Sequence, residues 1–269
     1  MNDLKDYFKS KLKEVDETCE IHGTKLVSGF GRPAICMECA KKDKEKREQE
    51  LVEKVSADYF KRNTYNWLGQ HSIFLDETLK QSTFESYETI EDEAVRNKEQ
   101  ALQIAREYYK GATFNSVLTG NAGAGKSHLA MSMLRVVNEY SSPYRKCLFI
   151  SVDELMRKIK AGFNRTGDYY YTEERMINLL TEADLLVLDD LGAETGAINS
   201  DKTATDFTTK MLYAIVNGRM SKPTIITTNL DTRALGKKYD SKLISRMMKG
   251  AKGHVIQFKE TKDKRMELF

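Results

Sequence analysis

The feature that most limits what this chain can become is the run Gly120-Asn121-Ala122-Gly123-Ala124-Gly125-Lys126-Ser127, which fits the pattern G-x-x-x-x-G-K-[ST]. An apolar strand-like stretch at 116–119 precedes it and a helical pattern over 127–140 follows. Strand, glycine-rich turn and helix in that order make a phosphate cradle. The glycines let backbone N–H groups turn toward the anion, and the helix N-terminus adds its dipole. Lys126 would reach the β- and γ-phosphates of a nucleoside triphosphate, and the Ser127 hydroxyl would ligate Mg2+. These eight residues, with His128 after them, are the candidate cofactor-binding loop.

The partner of such a loop is a buried strand ending in acids, and Leu185-Leu-Val-Leu-Asp189-Asp190 supplies one. Asp189 would hold the hydration shell of Mg2+, and Asp190 would polarise the attacking water. Ile225-Ile-Thr-Thr228-Asn229 ends a further strand with a polar side chain suited to sensing a γ-phosphate. A simple strand-ending turn residue is the plainer alternative for Asn229. Ser241-Lys-Leu-Ile-Ser-Arg246-Met-Met reads as a helix whose stripe of Leu243, Ile244, Met247 and Met248 faces inward, leaving Arg246 pointing elsewhere. An extra strand before the acidic one, and an Asn-ended strand after it, point to AAA+ ATPases rather than to kinases or Ras-like GTPases. In AAA+ proteins an arginine at this place reaches the ATP of a neighbouring subunit. Asp190, Asn229 and Arg246 are therefore the catalytic candidates, with self-association through the ATP site. Arg265 is a weaker candidate for a second, same-subunit sensor.

Five apolar strands, at 116–119, 146–152, 185–188, 223–228 and 254–258, alternate with helical patterns from residue 93 onward. That alternation predicts an α/β fold, a five-stranded parallel sheet covered on both faces. With 40% hydrophobic and 31% charged residues, the chain of 269 residues is far from disordered or fibrous compositions. No run reaches the 18 apolar residues of a bilayer span, and the N-terminus lacks a signal-peptide core, so a cytoplasmic protein without membrane contact is expected. Net charge is only +3, yet residues 230–269 carry 11 basic against 5 acidic side chains. Such a segment faces nucleic acid or bound phosphate, or is a solvated surface.

The N-terminal part is of another kind. A periodic stretch at 4–15, with Leu4, Tyr7, Phe8, Leu12 and Val15, predicts a short amphipathic helix. Cys19-Glu-Ile-His22 and Cys36-Met-Glu-Cys39 are two pairs with two-residue spacing, 13 residues apart. Two such turns give closed Cys3His coordination of Zn2+, a structural site. The mixed-charge run 41–54 marks a boundary, so the expected division is 1–55, a linker at 56–85, and 86–269. Trp67, Ile73, Phe74 and Leu75 are expected to dock on a neighbouring domain, and Cys147 to be a core residue.

The order of zinc knuckle, charged linker, Gly-Asn-Ala-Gly-Ala-Gly-Lys-Ser-His-Leu, Leu-Leu-Val-Leu-Asp-Asp-Leu-Gly-Ala-Glu, Thr-Thr-Asn and Ser-Arg-Met resembles bacterial and phage replicative-helicase loaders of the DnaI/DnaC type. The resemblance implies an AAA+ domain at 86–269 and a helicase-binding domain at 1–55. It implies weak, partner- or DNA-stimulated ATP hydrolysis that drives loading of a hexameric replicative helicase onto single-stranded DNA. It also implies a cytoplasmic setting in a bacterial cell, with phage origin open. One departure is Asp190, where most AAA+ enzymes carry glutamate; the shorter side chain suits a switch better than a motor. Single-stranded DNA would meet the tract Phe163-Asn-Arg165 to Tyr169-Tyr170-Tyr171 and the basic C-terminal third, or those tyrosines pack on their own domain instead. The alternatives are an IstB-type transposition ATPase and a zinc-bearing adaptor that binds nucleotide without turning it over.

Overall fold

Two runs of strands, one antiparallel and one parallel, organise the computed structural model of the protein, which describes Tyr7 and residues 11–162, 169–195 and 203–264. They belong to separate units, Met1–Tyr59 and Phe60–Phe269.

In the first unit, β1 (Leu12–Thr18), β2 (Lys25–Gly29) and β3 (Arg32–Ile35) form an antiparallel sheet in that order. Residues 12–15, expected as the end of a helix, are therefore strand; most of 4–10 lies outside the described residues. Gly29 pairs with Arg32 across a two-residue turn, Phe30-Gly31, with both φ angles positive. That is the hairpin geometry whose twist matches the flanking strands. Helix α1 (Met37–Phe60) follows, and none of its 24 residues is buried. Its charges alternate at helical spacing instead, pairing Lys41 with Glu45, Lys44 with Glu48 and Lys46 with Glu50.

The second unit is built on β4 (Ser116–Gly120), β5 (Cys147–Ser151), β6 (Leu185–Asp189), β7 (Thr224–Thr228) and β8 (Val255–Phe258), all parallel in the order β5-β6-β7-β4-β8. Every residue of β5, β6 and β7 is buried, as expected of strands with helices on both faces. On one face, Ile104, Tyr108, Leu129, Leu134 and Phe149 pack together. These come from α3 (Asp92–Tyr109), α4 (Lys126–Tyr140) and the sheet. On the other, Leu155, Met176, Leu212, Ile215, Leu243 and Met247 do so. They come from α5 (Val152–Gly162), α6 (Glu173–Glu182), α7 (Asp206–Gly218) and α9 (Ser241–Met247). Between α7 and α9 lies α8 (Thr232–Lys238). Thr172, Thr205, Asp231 and Asp240 cap α6, α7, α8 and α9 by accepting backbone N–H bonds. Each fully buried aliphatic side chain contributes about 1.5–3 kcal/mol, so these two layers carry the stability of the unit.

The segment expected as a linker is largely part of this core. Trp67, the first residue of the short helix α2 (Trp67–His71), is buried, as are Ile73, Phe74 and Phe84, whereas Leu75 is 66% exposed and does not dock. Ile73 extends the sheet: its N–H donates to Phe149 O at 2.8 Å, and its carbonyl accepts from Ser151 N–H at 2.8 Å. The bridge covers the backbone of edge strand β5, and Phe74 stacks on Phe149 with ring centroids 4.9 Å apart.

Candidate nucleotide site and metal cluster

The chain leaves β4 at its C-terminal end, turns through 121–125 and enters α4. Gly120 and Gly125 have φ angles of 130° and 91°, a region that side chains avoid. A Cβ on Gly125 would lie 2.7 Å from the Tyr87 ring, and one on Gly120 would run into the Phe258 backbone. Lys126 is 5% exposed, and its ammonium donates to the carbonyls of Gly120 at 3.0 Å and Asn121 at 2.5 Å. The cation thus lies folded back on its own loop, within the cradle.

Two residues of the loop do structural work instead. Asn121 donates through its side chain to the carbonyls of Lys259 and Thr261, at 3.0 and 3.2 Å, and its backbone N–H reaches Phe258 O. His128 contacts Thr83 O at 2.8 Å and Ser86 Oγ at 3.2 Å and lies edge-on to Tyr87. Burial pushes its imidazole down, so it is a neutral strut holding 83–87 beside the loop. Ala124 is buried and its carbonyl accepts from the Tyr87 hydroxyl; Ala122 is exposed, and Gly123 lies beside Asp263.

The far side of Asn121 is anchored by a residue that sequence patterns do not reveal. Glu93 accepts from Lys259 N–H, Glu260 N–H, Thr261 N–H and the Thr261 hydroxyl, at 2.5–3.0 Å. Burial alone pushes this carboxyl up, but the four bonds outweigh it and hold it below its ordinary 4.5. A carboxylate lowered by folding stabilises above its unfolded pKa, and that stabilisation is lost as pH falls below 4.5 through the lowered value. Between about pH 5 and pH 3, thermal melting should show wild type losing more stability than Glu93→Gln, which carries nothing to protonate. Equal losses would remove Glu93 from the acid response.

At the end of β6, Asp189 is 6% exposed, and burial pushes its carboxyl up to about 6 against hydrogen bonds from Thr227 and Ser127. Asp190, the next residue, has φ 58°, which turns its side chain out of the strand direction. Asn229 Nδ2 donates to Asp190 Oδ1 at 3.1 Å. Ser127, Lys126 and Asp189 are thus neighbours, as are Asp190 and Asn229. The hard oxygens of Ser127 and Asp189 beside a phosphate cradle suit Mg2+. Two contributors are not foreseen from the motifs. Thr227 bonds to both acids, and Glu194 accepts from Gly192 N–H at 2.9 Å and from the Tyr239 hydroxyl. The signal for the first was a pair of threonines, 227 and 228, in a strand otherwise read as apolar.

Arg246, which the helix pattern leaves off the apolar stripe, is half-buried: its Nε donates to Asn217 Oδ1 at 3.1 Å, and its guanidinium lies 4.6 Å from the Tyr213 ring centroid. Both partners lie on α7. Arg265 and residues 163–168 lie outside the described residues. Of the tyrosine tract, Tyr170 is held by His71 at 3.0 Å and by Arg175 over its ring, and Lys158 lies over Tyr171.

In the first unit, the ligand atoms of Cys19, His22, Cys36 and Cys39 all lie within 4.8 Å of one another. Cys19 Sγ is 3.7 Å from Cys39 Sγ and 3.8 Å from His22 Nδ1, and Cys36 Sγ is 3.6 Å from His22 Nδ1. A tetrahedron with Zn–S bonds of 2.3 Å has edges of about 3.8 Å, so the four atoms fit this ion. Gly23 N–H donates to Cys19 O, and Ala40 N–H to Cys36 O, which closes the two turns. Cys147 is fully buried in β5, as expected.

Comparison with known proteins agrees with this geometry. Residues 44–260 match the family described as IstB-like ATP binding protein. The chain belongs to that family. This IstB-like protein is 30% identical over 173 residues to a protein of Escherichia coli (strain K12) named replicative helicase loader DnaC, covering 62% of this chain and 63% of the relative. The namesake from Buchnera aphidicola subsp. Schizaphis graminum is 27% identical over 185 residues, 68% of this chain and 69% of that one. The IstB-like chain therefore spans a little under two thirds of the Escherichia coli relative. Its fold matches the crystal structure of DnaI with a TM-score of 0.54 at 20% identity, over 69% of this chain and 95% of that one. It also matches AMPPCP-bound DnaA from Aquifex aeolicus with a TM-score of 0.51 at 18% identity, over 73% and 55%. The expected AAA+ type of parallel sheet is the one observed.

Proposed function

We propose that this IstB-like protein is a Mg2+-dependent ATPase that loads a hexameric replicative helicase onto single-stranded DNA in the bacterial cytoplasm. What carries the reading is the convergence of Lys126, Ser127 and Asp189 at one strand end with Asp190 and Asn229 beside them, in a chain similar to proteins named helicase loaders. Backbone N–H groups of 122–126 would bind the β- and γ-phosphates, and Lys126 would exchange its two loop carbonyls for phosphate oxygens. Mg2+, held by Ser127 and through water by Asp189, would neutralise charge on those oxygens. Asp190 would accept hydrogen bonding from the attacking water, oriented by its contact with Asn229, which would also read the γ-phosphate. Arg246 of a second subunit, presented on the Tyr213 face, would offset the charge developing on the transferred group. Hydrolysis would then release the loader from the helicase.

The Cys/His cluster would hold Zn2+ and shape the helicase-binding unit, residues 1–55. Purified protein should carry about one zinc per chain. Cys36→Ser should lose it and weaken helicase capture while leaving nucleotide binding intact. Full-length protein that stays metal-free when produced with zinc available would remove this part of the reading. The whole proposal is tested by mixing the protein with ATP, a replicative helicase and circular single-stranded DNA. Helicase retained on DNA only with loader, and ATP turnover rising with DNA, is the expected result. Partnership with a transposase instead would favour the transposition ATPase after which the family is named.

A further inference from the structure

We propose that Thr227 is a positioning residue for ATP hydrolysis, joining Asp189 and Asp190 through one hydroxyl so that metal and water are set in a fixed relation. The inference rests on the ATPase reading of those two acids. Thr227 is fully buried in β7, one strand over from them. Its Oγ1 donates to Asp189 Oδ1 at 2.6 Å and accepts from Asp190 N–H at 2.8 Å. Its carbonyl accepts from Leu191 N–H at 2.9 Å, so a single residue holds three consecutive positions of the turn.

A hydroxyl has one proton, and the direction of these bonds follows from that. Asp190 N–H can only donate, so the Thr227 oxygen receives it and the Thr227 proton goes to the carboxylate of Asp189. The plane of that carboxylate is thereby set by β7. The same bond secures the backbone of Asp190 at φ 58°, where a residue with a Cβ costs about 1 kcal/mol or more and needs restraint. Asn229, two residues further along, then fixes the Asp190 side chain at 3.1 Å. Thr227 in β7 and Asn229 just past its end thus hold the backbone and the side chain of the water-polarising residue. Thr228 makes a useful contrast. It is equally buried, and its hydroxyl donates to Leu191 O at 2.7 Å, touching neither acid.

The test compares Thr227→Val, Thr227→Ala and Thr227→Ser with Thr228→Val in the full chain. Readouts are ATP turnover, the Mg2+ concentration for half-maximal tightening of a fluorescent ATP analogue, and melting temperature. Thr227→Val is expected to lower kcat about tenfold or more with KM for ATP nearly unchanged. It should raise the Mg2+ half-point by about tenfold. Thr227→Ser should recover most of both. Thr228→Val should lose comparable stability but keep the wild-type Mg2+ half-point. If the valine variant does not fold, the alanine and serine variants give the same reading, since they differ only in the hydroxyl. A wild-type Mg2+ half-point in Thr227→Val or Thr227→Ala overturns the inference, as does a serine variant as impaired as the alanine one. A wild-type protein that binds the analogue but never turns over ATP would sink the ATPase reading, while the Mg2+ titration would still decide the role of Thr227.

Discussion

Asp190→Asn is expected to bind ATP within a few-fold of wild type and to lose turnover by about 100-fold or more. The amide keeps the size of the carboxylate, and it can still meet Asn229 after a flip. It cannot take proton density from water. Lys126→Ala should do the opposite. It removes the ammonium buried against the loop carbonyls, so nucleotide binding itself should fail. Equilibrium binding of a fluorescent ATP analogue and steady-state phosphate release separate the two variants. Equal turnover by wild type and Asp190→Asn would show that the water-polarising role belongs elsewhere. In that role the shorter aspartate would hold its water less closely than glutamate would, so Asp190→Glu is the informative companion.

Arg246→Ala is expected to bind ATP nearly normally and to lose about a thousandfold in turnover, together with helicase loading. A guanidinium supplied to a developing negative charge contributes on that scale because it arrives already oriented. Its place over the Tyr213 ring and its bond to Asn217 would give Arg246 that orientation before any neighbour arrives. Mixing Arg246→Ala with Lys126→Ala should restore part of the activity, since one keeps an intact loop and the other an intact arginine. A mixture that stays inactive where wild type assembles and hydrolyses would end the shared-site mechanism. Wild-type turnover by Arg246→Ala alone would make it a surface residue.

The parallel sheet and the phosphate loop were legible because their signals are local. Apolar runs of four to seven residues, alternating with helical periodicity, leave little choice of fold, and the loop pattern fixes where the first strand of the parallel sheet ends. The acids at the end of β6 could be read for the same reason. What stayed hidden depends on partners distant in sequence. Glu93 meets a segment 166 residues away, and nothing in its own helix marks it as more than a surface acid. The pattern of its own helix shows only that Arg246 lies off the apolar stripe, while its partners lie on α7. Residues 12–15 carry apolar groups at a spacing compatible with a helix, but pairing with β2 makes them strand. Ile73 and Leu75 look alike in sequence, and only the edge of β5 decides that one is inside and the other out.

The clamp that Glu93 places on residues 259–261 ties the phosphate loop to the end of the sheet through Asn121. Loop and clamp joined in this way are expected to open as one cooperative unit, so their amide protons should share a single protection factor rather than exchange separately. A ligand that binds only the closed loop would then slow exchange at Lys259, Glu260 and Thr261 as much as in the loop itself, although it touches none of the three. Hydrogen exchange at this far segment becomes a reporter of occupancy. A partner protein that pulled on the chain after Phe258 would, by the same linkage, loosen the bound nucleotide.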